Sequence, residues 1–456
     1  MGLRVLGAGF TLMRRARWLS LILCSTVLSH RGLAEARPEI VPVASVPADT
    51  VVDALLDSLG RAPTPQACNG VVWALYSQEI NTIARTLVYA HLGEHAATCG
   101  QRFDPKTLDD SQLQAAGDLY ALGGLTAQLH MALDRQIASA TTDSARIRRL
   151  IFAIKSCLNG DGSPTSHVSA ERLALAEQYV ATLARIPTVP SSQRLFVLTT
   201  LRYTLPSTDP RRDLYLQQAR RIVEALSPAD RRTTGGRKTV CDLAEMEAED
   251  AGHAEQFSQA VALLHPCLEL LASDTSRALR YERENLQRIR LRNTLVGAPA
   301  PTPIQASYWI NAPKQNTTVD LTRPVTILEF TEPGCPGCRL GYPTLRRLDA
   351  QYRARGLQLL LVTFLGYNTD FPDPDAEVAD AKRVWVQGDS IAFPIAFLDK
   401  NPHGDNPTIF APWGVNGFPT YYVFDRHGRI RYMQTGHSDD FETHLTAIIE
   451  RLLKES

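Results

Sequence analysis

From Asp49 to Asn293 apolar residues recur at spacings of three and four, as in DTVVDALLDSLG, ERLALAEQYVATLARI and DLYLQQARRIVEALSP. That recurrence follows the period of an α-helix, so it predicts a series of amphipathic helices with no strand between them. After Asn293 the pattern changes. VGAPAPTP is a proline-rich connector, and beyond it VTILEF, LQLLLVTF, PIAFLD, TYYVFD and RIRYMQT are short apolar or β-branched runs separated by helical stretches. Such alternation implies an α/β domain. The expected fold class is an all-α N-terminal domain followed by an α/β domain.

Two pieces of the first half, AAGDLYALGGLTAQLHMALDRQIA and LAEMEAEDAGHAEQFSQAVALLHPCLELLA, each read as a helix, a small-residue turn and a second helix. These helical hairpins resemble tetratricopeptide units, although their irregular spacing fits a generic helical bundle as well. Either arrangement offers a surface for a protein partner. Of its histidines, His91 and His95 read as a solvated helix end beside Gly93. His130 lacks a carboxylate partner at i,i+4 that would suggest a metal.

The chain has 456 residues and is 44% hydrophobic, enough for more than one core. Its 48 basic residues equal its 48 acidic ones, so no global field draws it to nucleic acid or to an acidic membrane. The N-terminus is more telling. RRARW, the short apolar LSLILCSTVLS and then AEA have the order of a secretory signal peptide cut near Ala36. Met13 directly precedes the basic run as an alternative start. An uncleaved signal anchor is the competing reading, and Leu23 before Cys24 argues against a lipoprotein. Without residues 1–36 the chain keeps 43 basic and 47 acidic side chains. The expected location is periplasmic or secreted, where disulfides persist. The expected boundaries are 1–36 signal peptide, 37–293 helical domain, 294–303 linker and 304–456 α/β domain.

Seven cysteines remain after such a cleavage, an odd number. Cys241 and Cys267 lie eleven residues before and fifteen after a turn placed at Gly252, at similar height on a hairpin, and a structural disulfide between them is expected. Cys68 and Cys99 flank one apolar helical run that would hold them on the order of 40 Å apart if unbroken. Cys157 is left to pair with either.

The remaining two cysteines stand in EFTEPGCPGCRLGYP, between a strand-like run and a helix that ends at Gly356. Pro336 suits the first helical turn. Cys335 then sits at a helix N-terminus, where free N–H groups and the helix dipole favour a thiolate. Cys338 lies one turn inside. An accessible low-pKa sulfur with a resolving sulfur behind it is what thiol–disulfide exchange requires. No second Cys or His pair completes a zinc site.

With these residues in place, Val296 to Leu453 resembles a thioredoxin-like domain of the TlpA/ResA-like thiol-disulfide oxidoreductases. The resemblance implies that Glu329 is a buried carboxylate serving Cys338, that Pro343 is the helix-kinking proline and that Pro419 in GFPT is the cis-proline. It also implies that Phe364 to Val415 holds an inserted helix and strand. The family's tryptophan before the first cysteine is replaced by Gly334, and Phe418 is bulkier than the usual residue before the cis-proline. Gly334, Pro336 and Phe418 are the expected substrate-contacting residues. The Pro336-Gly337 dipeptide carries no histidine, which favours a reductase.

The expected activity is that of a thiol-disulfide oxidoreductase reducing protein disulfides, with no cofactor beyond its dithiol and with an external electron donor. Two alternatives compete. A peroxiredoxin-like peroxidase is suggested by EPGC, but Glu332 replaces the hydroxyl that such a site needs. A non-catalytic interaction protein would use the thioredoxin-like half as a scaffold. A copper site completed by His403 or His437 would resemble the Sco proteins, whose cysteines are spaced differently.

Overall fold

The computed structural model describes residues 64–79, 85–158, 168–312, 318–333, 335–366, 371, 373–399 and 410–455. The expected signal peptide 1–36, the chain up to residue 63, Gly334 and His403 lie outside the described residues.

The first half is helical: α1 Pro65–Glu79, α2 Arg85–Gly100, α3 Asp110–Leu122, α4 Thr126–Ala138, α5 Asp143–Leu158, α6 Ala170–Ala184, α7 Ser191–Thr204, α8 Arg211–Glu224, α9 Thr234–His253, α10 Phe257–Leu271 and α11 Arg277–Leu295. Polar residues start several of them. Asp109 accepts from the N–H groups of Ser111 and Gln112, and the Gln112 side chain closes a capping box. Ser169, Thr233 and Ser276 cap α6, α9 and α11. Consecutive helices pack in pairs, and Leu113, Leu129, Leu150, Leu195 and Leu201 form a shared apolar core. Arg172 is buried there, donating to the carbonyls of Ala121, Ser156 and Cys157 at 2.6–3.1 Å. Those carbonyls end α3 and α5, so the guanidinium satisfies acceptors that the helices leave open.

The second half is built on a six-stranded sheet: β1 Tyr308–Ile310, β2 Val325–Phe330, β3 Leu357–Phe364, β4 Ile395–Leu398, β5 Thr420–Asp425 and β6 Ile430–Thr435. The order is β1-β4-β3-β2-β5-β6. β2, β3 and β4 run parallel, whereas β1, β5 and β6 pair antiparallel. Three further helices are α12 Pro336–Tyr352, α13 Pro374–Lys382 and α14 Phe441–Lys454. A short 3-10 turn extends α12 to Gly356, whose φ of +102° ends it in the left-handed conformation that glycine favours.

Every residue of β2 is buried, because both faces of the sheet are covered. Val325 and Ile327 point to the face packed by Leu345 and Leu348 of α12 and Ile448 of α14. Leu328 and Phe330 point the other way, into a cluster with Trp413, Tyr422 and Leu295 of α11. The helical half is therefore the second cover of the sheet, and the described residues of both halves belong to one compact unit.

The stretch 294–303 is not a free linker. Gly297 N–H donates to the Ile430 carbonyl at 2.7 Å, Ile430 N–H donates to Ala298 at 2.8 Å, and Pro299 bridges Arg429. The connector lies along the open edge of β6, whose backbone groups need partners. Polar contacts between the halves add to it, with His253 on Asp440 at 2.9 Å and Arg451 on Glu255 at 2.7 Å.

Candidate active site

Alternation along β2 fixes the first side chain of the site. Glu329 follows Ile327 by two residues, so it faces the α12 side, where Cys335 and Cys338 join the same apolar cluster. It is 1% exposed, and neither carboxyl oxygen has a hydrogen-bond partner among the described residues. Burial pushes its pKa well above the carboxylate range. Thr331 shares a hydrogen bond with Tyr342 Oη at 3.0 Å, and Trp385 Nε1 donates to that same oxygen at 2.9 Å.

α12 begins immediately after Cys335, with Pro336 in its first turn. Cys335 is the cap: its Sγ accepts the Cys338 N–H at 3.1 Å. The two cysteines form a disulfide, their Cα atoms 5.4 Å apart. Cys338 is fully buried, and Cys335 is itself only 5% exposed. The accessible sulfur expected from the sequence is thus partly closed off, because Cys335 packs into the apolar cluster and Phe418 lies against that cluster. Pro343 interrupts the interior of α12.

The peptide bond between Phe418 and Pro419 is cis. The Pro419 ring lies 3.5 Å from where a Cβ on Gly337 would stand, so this loop rests against the Pro336-Gly337 turn. Phe418 is half-buried, stacked on Phe364 and edge-on to Phe410.

Several residues near the site escaped the sequence reading. Tyr421 pairs in register with Glu329 on the neighbouring strand, and its buried hydroxyl has no hydrogen-bond partner among the described residues. Arg339 and Asp389 form an ion pair at 2.9 Å, both side chains almost fully covered, one residue beyond Cys338. Thr331 was within reach of a period-two count from Glu329. Asp389 and Trp385, distant in sequence, gave no local signal.

The other cysteines are placed differently from the expectation. The bond expected between Cys241 and Cys267 is not formed: both are buried thiols, and Cys241 Sγ contacts the Cys267 carbonyl oxygen at 4.0 Å. The hairpin does bring them together. Its turn comes after His253, not at Gly252, and the helices approach so that sulfur meets backbone as well as sulfur. The neighbouring Cys267 sulfur and burial raise the Cys241 pKa. Cys68 and Cys99, expected at opposite ends of one helix, lie on two helices, α1 and α2, and meet. Burial and the Cys99 contact push the Cys68 thiol up to about 12. Cys157 stands apart beneath Arg172, pushed up to about 12 by burial.

Two further points bear on metals. His130 does have an i,i+4 carboxylate, Asp134 at 3.2 Å, but both are about half exposed. Asp242, Glu245 and Glu282 cluster in the helical half, yet Lys238 Nζ already bonds Asp242 and Glu282 there.

No protein-family model matches the chain, and no curated protein does. Solved structures do. One is a thioredoxin-like superfamily protein, 25% identical, with a TM-score of 0.30 over 35% of this chain and 99% of its own. A thiol-disulfide isomerase from Corynebacterium glutamicum is 25% identical over 34% of this chain and 95% of its own, TM-score 0.28. The thioredoxin domain of a thiol-disulfide oxidoreductase from Bacteroides vulgatus is 19% identical over 34% and 97%, TM-score 0.26. The likeness is to about a third of the chain. Among the described residues no helix is long and apolar enough to cross a membrane.

Proposed function

We propose that this protein is a thiol-disulfide oxidoreductase that reduces protein disulfides outside the cytoplasm, in the periplasm or after secretion, following removal of residues 1–36. The observation that carries the reading is the Cys335–Cys338 disulfide at the start of α12, against the cis Phe418-Pro419 loop.

In the reduced protein the Cys335 sulfur keeps the Cys338 N–H as a donor, and the α12 dipole stabilises its thiolate. The thiolate attacks one sulfur of a substrate disulfide, and the other substrate sulfur leaves as a thiolate. Cys338 then gives its proton to Glu329 and attacks Cys335, releasing the second substrate thiolate. The substrate gains two electrons and the protein is left as the Cys335–Cys338 disulfide. An external dithiol donor must return those electrons. Burial raises the Glu329 pKa, so its carboxylate is a stronger base than an exposed one, and the proton transfer uses the fraction of the protein in which Glu329 is ionised. No cofactor beyond the dithiol enters. Gly334, Pro336 and Phe418 are the residues assigned to substrate contact, and the helical half is assigned a protein-facing role.

Dithiol-dependent insulin reduction tests the class, and an inactive wild-type protein with an intact dithiol would sink it. A reduction potential near that of thioredoxin, about −270 mV, supports the reductase direction. A value near about −120 mV reverses it.

A further inference from the structure

The segment that leads into the cis-proline loop is held by the helical half. Arg292 of α11 is 3% exposed and donates to the Gly414 carbonyl at 3.0 Å and to the Asn416 side-chain oxygen. The Asn416 amide donates to Asn285 Oδ1 at 2.5 Å, and Asn285, 4% exposed, donates to Glu245 at 2.7 Å. Gly414 has φ +65°, and a Cβ there would stand 2.7 Å from the Arg288 carbonyl oxygen and 2.9 Å from Arg292 Cγ. Only glycine lets the loop approach α11 this closely.

Holding a guanidinium here is costly. Burial lowers the Arg292 pKa, and its Nε finds no hydrogen-bond partner among the described residues. An interface needing only adhesion would be served by apolar packing, which α11 already supplies through Leu295. The hydrogen bonds go instead to two residues within five positions of Pro419.

We infer that Asn285 and Arg292 are positioning residues: through Gly414 and Asn416 they fix the loop that presents Phe418 and Pro419 to the substrate. This rests on the oxidoreductase reading for its substrate, but not for the clamp itself. The helical half then acts on the site as well as covering the sheet.

The test uses the full chain with Asn416→Ala, Arg292→Met and Arg292→Lys. For Asn416→Ala we expect KM for insulin to rise about tenfold, the scale of one lost hydrogen bond to a charged group. The reaction of reduced Cys335 with a small aromatic disulfide should stay within about twofold, since that probe does not need the loop. Arg292→Lys should recover part of what Arg292→Met loses. Hydrogen exchange at the amides of Asn416, Gly417 and Phe418 should speed up in the variants, and this holds even if Arg292→Met folds poorly, because Asn416→Ala removes only a half-buried side chain. Folded Asn416→Ala with unchanged loop exchange overturns the clamp, and faster exchange with unchanged KM overturns its role in substrate positioning. Wild-type protein inactive on insulin would count against the oxidoreductase reading alone, leaving loop exchange to decide the clamp.

Discussion

Of the cysteine pairs that lie close together, two differ in almost everything else. Cys335 and Cys338 share the first turn of α12, are bonded, and have a loop from another strand resting against the turn between them. Cys241 and Cys267 face each other from the interiors of α9 and α10, remain thiols and have only helix surfaces around them. Proximity is common to both. What separates them is a backbone N–H aimed at one sulfur, a helix dipole behind it and a buried carboxyl on the same face of the sheet. Mid-helix sulfurs have their N–H groups already bonded to carbonyls, so nothing there stabilises a thiolate against burial.

The strongest way to break that contrast is to remove one sulfur from each pair. Cys335→Ser should abolish insulin reduction, a loss on the order of a thousandfold or more, while Cys241→Ser should leave turnover within about twofold. Comparable losses in both would erase the distinction. Cys338→Ala should leave partners covalently attached to Cys335, visible after purification without reductant. Adducts on Cys338 in a Cys335→Ala protein would reverse the order of attack.

A smaller effect is expected from the carboxyl. Glu329→Gln should slow release of the mixed disulfide by about 10- to 100-fold and its formation by less than about twofold, because the change removes only the acceptor of the Cys338 proton. Stopped-flow exchange separates the two steps, and equal slowing of both would remove Glu329 from the mechanism.

The smallest effect is a difference in pH dependence. In reduced, folded protein, alkylation of Cys335 should be complete below the ordinary thiol range, about pH 8.5. Cys68 and Cys157, pushed up to about 12, should stay protonated and unlabelled there. Raised thiol pKa values mean that the reactive thiolate appears only as pH climbs, so the sign is toward protection at neutral pH. Peptide mapping of the alkylated cysteines would show it, and early labelling of Cys157 would contradict it.

The sequence made the main architecture legible because periodicity is a local signal. The period of three and four in residues 110–295 became helices, and VTILEF became a central strand. The Cys335 helix start, its Pro336 and its Gly356 end could be read from neighbours alone. Long-range placement was not legible. Nothing in Asn416 or Arg292 announces that they meet across 124 positions. Cys68 and Cys99 were set apart only on the condition that their apolar run forms one unbroken helix; they lie on two helices, α1 and α2, and are in contact. The proline-rich connector was read by composition as a linker, and the open edge of β6 decides its conformation.

That connector limits where the chemistry can take place. A flexible tether lets a redox domain sweep a volume and serve several sites on a bound partner, at an effective concentration set by tether length. Here the strand edge at Arg429 and Ile430 takes up the connector's backbone groups, and the two halves pack into one compact unit. The connector so held adds little reach: a substrate disulfide borne on a segment mobile enough to travel to Cys335 is the kind this arrangement serves.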